Sequence, residues 1–206
     1  MVIIIRKRAR PVEKKSKINT SLLGNSKLII IILILVIIVV GVIIAWQQHH
    51  VDNKDTGDDF VFTSLDGTSK HLSDYRGKVV ILDMWATWCS PCQFQMTELK
   101  KTYEAYSRDD LEIISIDIDT RETVQLVENF RNAFKQQGIE LNWVFGMDDG
   151  SIWEKYMLNG GIPTLCIFDR EGKLSLQHEG IAVFSEIPQG LSEDTVKLSQ
   201  KIDSLL

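Results

Sequence analysis

The chain has 206 residues, 44% of them hydrophobic, with 23 Lys or Arg against 28 Asp or Glu, a formal net charge of −5. The charge is unevenly spread: residues 1–46 hold eight bases and one acid, whereas residues 47–206 hold 15 bases and 27 acids, a net of −12. That balance argues against nucleic acid as a partner of the larger part, whose 160 residues suffice for one well-packed core.

Residues 1–27 form a basic tail, carrying Arg6, Lys7, Arg8, Arg10, Lys14, Lys15, Lys17 and Lys27 against Glu13. Residues 28–46 then run without a charge and reach roughly 28 Å as a helix, enough for a bilayer core. A single transmembrane helix is predicted, with Trp46 at the outer interface and the basic tail held in the cytoplasm by the positive-inside rule. A cleaved signal peptide is the competing reading. The apolar run exceeds a signal's usual ~7–15 residues, however, and Ala45-Trp46-Gln47-Gln48 offers no small-x-small site. Everything after Trp46 is then extracytoplasmic. Residues 47–59, polar and turn-rich, read as a tether, and His49 and His50 in it as solvated linker residues rather than metal ligands.

The domain proper, 60–206, opens with a strand at Phe60 to Phe62 and a turn at Asp66-Gly67, after which Ser73 is placed to cap one helical turn ending at Gly77. Val79 to Trp85 is a near-continuous apolar strand of the kind covered on both faces. It leads directly into Trp85-Ala86-Thr87-Trp88-Cys89-Ser90-Pro91-Cys92 and a helix from Cys92 to Ser107, with Phe94, Met96, Leu99, Tyr103 and Tyr106 available for its inner face. A strand at Leu111 to Ile118, a helix at Thr123 to Gln137, a short strand at Trp143 to Phe145 and a short helix at Ile152 to Met157 follow. Gly160-Gly161-Ile162-Pro163-Thr164 precedes two strands, Leu165 to Phe168 and Leu174 to His178, joined at Asp169-Arg170-Glu171-Gly172. A helix from Ser192 to Leu206 closes the chain. The alternation gives an α/β fold with a mixed central sheet flanked by helices.

Two thiols two residues apart, where a buried strand turns into a helix, are the arrangement of a dithiol redox site. A cysteine at a helix N-terminus meets unpaired N–H groups and the positive end of the helix dipole, so its thiolate is favoured. Cys89 is therefore the nucleophile and Cys92 the resolving thiol, with Pro91 suited to the first turn because it needs no N–H partner there. The structural alternative, half a zinc site, needs two further ligands, and no second C-x-x-C or H-x-x-x-H exists. Asp83 interrupts the apolar strand six residues before Cys89; burial raises such a carboxyl's pKa and suits it to take the Cys92 proton, a structural acid being the alternative. Trp88 and Trp85 offer a flat apolar surface beside the sulfurs, with core packing the equal alternative for Trp85. Cys166 reads as a buried apolar-like residue, with intermolecular pairing left open, and His71 and His178 as structural.

The W-A-T-W-C-x-P-C segment after a strand, the later Gly-Ile-Pro-Thr and the Asp-Arg-Glu-Gly turn resemble the membrane-anchored TlpA/ResA-like thioredoxin family over residues 58 to 206. The resemblance implies a thioredoxin-like fold with an N-terminal hairpin and a central insertion from about Asp119 to Asp149. It also implies a cis Pro163 facing the two sulfurs, so that the Ile162 backbone meets an extended substrate segment; Ile162, Thr164 and Trp88 become the substrate-binding residues. Asp83 matches the buried acid of thioredoxins proper. The chain departs from the family in carrying Gln95 three residues after the second cysteine, where many members have Glu, and Thr97 where a proline often follows. Gln95 cannot take a proton, which shifts any relay onto Asp83; its alternative is a plain exposed helix residue.

The expected activity is thiol-disulfide exchange, in the reducing direction because Ser90-Pro91 add no cation to stabilise the thiolate. No cofactor beyond a Cys89–Cys92 disulfide and no metal is expected. The expected partners are protein disulfides, by resemblance those of cytochrome c apoproteins, a membrane thiol electron carrier, and lipid at residues 28–46. Two other classes remain: a copper chaperone using the dithiol, and a non-catalytic thioredoxin-like docking module.

Overall fold

The computed structural model describes residues 29–42 and 58–206. The basic tail 1–27, residues 28 and 43–46 of the predicted span, and the tether with His49 and His50 as far as residue 57 lie outside the described residues. Residues 29–42 form a helix, α1, whose Ile, Leu and Val side chains are all exposed. It is about 21 Å long at 1.5 Å per residue, and among the described residues no helix is long and apolar enough to cross a membrane. The chain divides into two compact units, 1–54 and 55–206.

The second unit is built on one seven-stranded sheet. Its strands are β1 (Val61–Ser64), β2 (Ser69–His71), β3 (Val79–Trp85), β4 (Leu111–Asp117), β5 (Val144–Met147), β6 (Thr164–Phe168) and β7 (Leu174–Glu179), in spatial order β2-β1-β5-β4-β3-β6-β7. β3, β4 and β5 are mutually parallel, while β1, β6 and the outer strands run antiparallel to their neighbours, so the sheet is mixed as the alternation predicts. Parallel neighbours need crossovers, and these are α2 (Ser90–Ala105) and α3 (Val124–Gln136); α4 (Ser151–Tyr156) and α5 (Leu198–Asp203) are single short helices.

The central strands β3, β4 and β6 are buried at every position. Side-chain alternation therefore splits the core into two layers. Ile81 and Trp85 of β3 join Cys89, Cys92, Met96 and Leu99 on one face, where α3 and α5 also pack; Val80, Leu82 and Met84 join Phe60, Phe62, Leu72, Ile152, Tyr156 and Phe168 on the other. Each fully buried Leu, Ile or Phe contributes about 1.5–3 kcal/mol.

Several local expectations are corrected by hydrogen bonding. The turn after β2 is a 3₁₀ helix, Leu72–Tyr75, and Ser73 does not cap it: Asp59 accepts from the Ser73 N–H at 3.0 Å and its hydroxyl at 3.2 Å, while Asp74 accepts from the His71 N–H at 2.8 Å. α2 begins at Ser90 with Cys89 as its N-cap, and its inner face holds Gln95 and Glu98 beside Met96 and Leu99, whereas Phe94 is exposed. The closing helix starts at Leu198 rather than Ser192. Ser192 to Thr195 form a turn in which the Thr195 N–H and hydroxyl both donate to the Ser192 carbonyl. Beyond it, Val196 and Leu198 exchange backbone hydrogen bonds with Val183 at 2.9 and 2.8 Å, which holds the chain extended.

Candidate active site

β3 delivers the site. Its last residue, Trp85, is buried against Phe130 and Phe145, with ring centroids at 4.6 and 5.8 Å, so Trp85 is core and not docking surface. The chain then makes a tight turn in which the Cys89 N–H donates to the Ala86 carbonyl at 3.1 Å, and α2 starts. Cys89 and Cys92 are joined by a disulfide, with Cα atoms 5.2 Å apart. At the N-cap, Cys89 Sγ accepts the Cys92 N–H at 3.1 Å, one of the donors a helix start leaves free, and Pro91 occupies the first turn. Cys89 is 4% exposed and Cys92 fully buried, so a partner can reach only the first sulfur.

On the opposite side the Ile162–Pro163 peptide is cis, and the Ile162 carbonyl oxygen lies 3.7 Å from Cys89 Sγ. The Pro163 carbonyl accepts from the Gly180 N–H at 2.8 Å, tying this segment to the end of β7. Ile162 is half-buried. Thr164, in contrast, is fully buried at the start of β6 with its hydroxyl donated to the Gly161 carbonyl at 2.7 Å, so it shapes the loop and presents no surface of its own. Trp88 is 60% exposed, and its indole N–H donates to Asp119 at 2.9 Å; Arg121 and this indole hold the Asp119 carboxyl well below the usual range.

Asp83 lies between Ile81 and Trp85 on β3, on the face that Cys89 and Cys92 share. It is fully buried, and desolvation pushes its pKa up to about 7, moderated by the Ser115 hydroxyl, which donates to Oδ2 at 2.8 Å. Its Oδ1 has no hydrogen-bond partner. Ser115 accepts in turn from the Trp143 indole N–H at 2.9 Å. Ser115 and Trp143 escape a reading of the sequence alone, yet a signal existed. Asp83 is the one polar residue of β3, and Ser115, the fifth residue of β4 as Asp83 is of β3, stands directly opposite it in the β3–β4 register.

Gln95 is not an exposed helix residue. It is fully buried and accepts the Ala182 N–H at 2.8 Å, while one turn on, the buried Glu98 accepts the Phe184 N–H at 2.9 Å and pairs with Lys101 at 2.5 Å. Together they pin the segment after β7 along α2, a structural role for Gln95 that uses only its side-chain oxygen, its Nε2 being buried without a partner. Cys166 is buried in the other core layer, where desolvation pushes its thiol up to about 12. His71 lies 3.5 Å from Asp59, and His178 Nε2 lies 3.2 Å from the Ile181 carbonyl; among the described residues no group of three His, Cys, Asp or Glu side chains is arranged to hold a metal.

Comparison with known proteins agrees with this geometry. The AhpC/TSA family matches residues 54–177. The thiol-disulfide oxidoreductase ResA of Geobacillus thermodenitrificans is 32% identical over 136 residues, 66% of this chain and 74% of the relative. The thioredoxin-like protein YneN of Bacillus subtilis is 29% identical over 137 residues, 66% of this chain and 76% of the relative. Among solved structures, the exposed lipoprotein thioredoxin of Streptococcus pneumoniae superposes with a TM-score of 0.52 at 27% identity, covering 72% of this chain and 100% of that one.

Proposed function

We propose, from the premise that this chain belongs to the AhpC/TSA family and is a ResA/TlpA-like thiol-disulfide oxidoreductase of the thioredoxin type, that it works as a membrane-anchored reductant of protein disulfides outside the cytoplasm. The observation that carries the reading is the pairing of a nearly buried Cys89 at the α2 N-cap with a fully buried Cys92 on the face that holds Asp83.

In the reduced enzyme the Cys89 thiolate attacks one sulfur of a substrate disulfide, forming a mixed disulfide and releasing the substrate's other sulfur as a thiolate. Cys92 then loses its proton and attacks Cys89 Sγ; the mixed disulfide breaks, the second substrate thiolate leaves, and the enzyme is left as its Cys89–Cys92 disulfide. Two electrons pass to the substrate, and a membrane thiol carrier returns them. Asp83 receives the Cys92 proton on Oδ1, the oxygen without a partner, which a carboxyl titrating near neutrality can both accept and release. The Ile162 backbone pairs with an extended substrate segment, and the exposed Trp88 ring carries its apolar side chains.

The reducing direction is supported by Ser90 and Pro91, which add no positive charge between the cysteines. The membrane anchor is supported by the uncharged run 28–46, the basic tail before it, and the all-round apolar, all-round exposed surface of α1. Disulfides of cytochrome c apoproteins are the assigned substrates, by family resemblance. Full-length Cys92→Ser expressed in cells tests this, since it stops at the mixed disulfide. Apocytochrome adducts through Cys89, released by dithiothreitol and pelleting with carbonate-washed membranes, are expected. Adducts only to other proteins overturn the substrate, a soluble adduct overturns the anchor, and a reduction potential near ~−120 mV instead of ~−270 mV overturns the direction.

A further inference from the structure

The turn that presents the nucleophile, Ala86-Thr87-Trp88-Cys89, is gripped at both central residues by one neighbouring loop. β3 and β4 run parallel and end level, with Trp85 opposite Asp117 and the Ile118 N–H donating to the Trp85 carbonyl at 2.9 Å. The loops that leave them, 86–89 and 118–123, therefore lie side by side. From the second loop the Glu122 carboxylate accepts twice from Thr87, Oε2 from its N–H at 3.1 Å and Oε1 from its hydroxyl at 2.6 Å. Asp119, fixed by Arg121 at 2.6 and 2.8 Å, takes the Trp88 indole N–H.

Glu122 is itself held. Thr123 caps α3, accepting the Leu126 N–H, so the residue before it has little freedom, and the Glu122 N–H donates to the Asp119 carbonyl at 2.8 Å. Beneath it Asp117 is fully buried, and burial and then the neighbouring Glu122 raise its pKa, which favours a neutral carboxyl there and spares Glu122 a second negative charge.

We propose that Glu122 is a positioning residue for Cys89, holding the nucleophile's turn through its paired hydrogen bonds to Thr87, and that the loop 118–123 is the clamp on which the attack geometry depends. Charge-assisted hydrogen bonds at two points fix orientation as well as distance. Thiolate attack on a disulfide needs the sulfur held in line, and a misplacement of about 1 Å costs up to about a hundredfold in rate. The proposal rests on the dithiol being redox active and is independent of the physiological direction and substrate.

The test is steady-state reduction of insulin disulfides by the full-length protein, with dithiothreitol as final donor and melting followed in parallel. Glu122→Ala is expected to lower kcat about tenfold or more with KM within about twofold, because Glu122 does not touch substrate. Glu122→Gln, whose amide oxygen still accepts from Thr87, is expected to keep kcat within about threefold of the parent. Thr87→Val, which loses the hydroxyl bond and keeps the N–H bond, is expected to lower kcat in the same direction but by less than Glu122→Ala, and the double variant to be no slower than Glu122→Ala alone. A parental kcat in Glu122→Ala, an effect on KM alone, or losses that multiply in the double variant overturns the proposal. If Glu122→Ala does not fold, Thr87→Val against Thr87→Ser decides: a slow Val and a parental Ser support the clamp, and equal rates overturn it.

Discussion

Replacing Asp83 by Asn should change the pH dependence of stability more than stability itself. The carboxyl titrates near 7 in the folded chain against an ordinary 3.8, about three units at ~1.4 kcal/mol each, or roughly 4 kcal/mol. The folded state keeps a proton that the unfolded state releases above its lower pKa, so the folded state binds more protons between about pH 4 and pH 7. Stability from this group is therefore lost as pH rises through that window and is flat above it. Asn removes the slope entirely. It also places an amide N–H₂ where Oδ1 has no partner, a pH-independent cost of about 1–3 kcal/mol. The variant should thus be the less stable protein near pH 4 and the more stable one near pH 8, the difference shifting by about 4 kcal/mol. Urea titrations of both oxidised proteins at several pH values measure it, and Asp117 titrates equally in both. Parallel curves would refute a buried, proton-holding Asp83 and with it the relay.

Gln95→Ala should cost about 1–3 kcal/mol and speed hydrogen exchange at the Ala182 amide, while the Phe184 amide, held by Glu98, stays protected; unchanged exchange at Ala182 would count against the tether. Gly146→Ala puts a methyl 2.5 Å from Phe62 Cδ2 and 2.8 Å from the Thr63 carbonyl, and thermal melting should show a loss of about 1–3 kcal/mol or more. Trp88→Ala should leave melting within about 0.5 kcal/mol, because the ring is mostly exposed. It should raise KM for a protein disulfide but not for glutathione disulfide, and an equal rise for both would remove Trp88 from docking.

The parts of the molecule legible in the sequence were those written in a local pattern. β3 stands at Val79–Trp85 as predicted because six of its seven residues are apolar and a turn bounds each end. The C-x-x-C announces its chemistry by its spacing, its place between an apolar strand and a helix, and the lack of a second ligand pair in the sequence. What escaped depends on partners distant along the chain. Gln95 is buried because residue 182 needs an acceptor, Ser192 to Val196 stay out of the last helix because Val183 pairs with the chain there, and Glu122 meets Thr87 only because two parallel strands end level. A period of 3.6 or 2 carries no record of such meetings.

The sheet also separates chemistries. Cys166 stands opposite Leu82 in the β3–β6 register, so its sulfur faces the layer of Met84 and Phe168, while Cys89 and Cys92 lie in the layer beyond. Three cysteines allow three pairings, and in the folded chain a wall of strands leaves only one of them geometrically open. An oxidant that reaches this protein after folding can therefore make the working disulfide without proofreading, and the third thiol, which burial keeps protonated, is not a competitor in the exchange reactions next door.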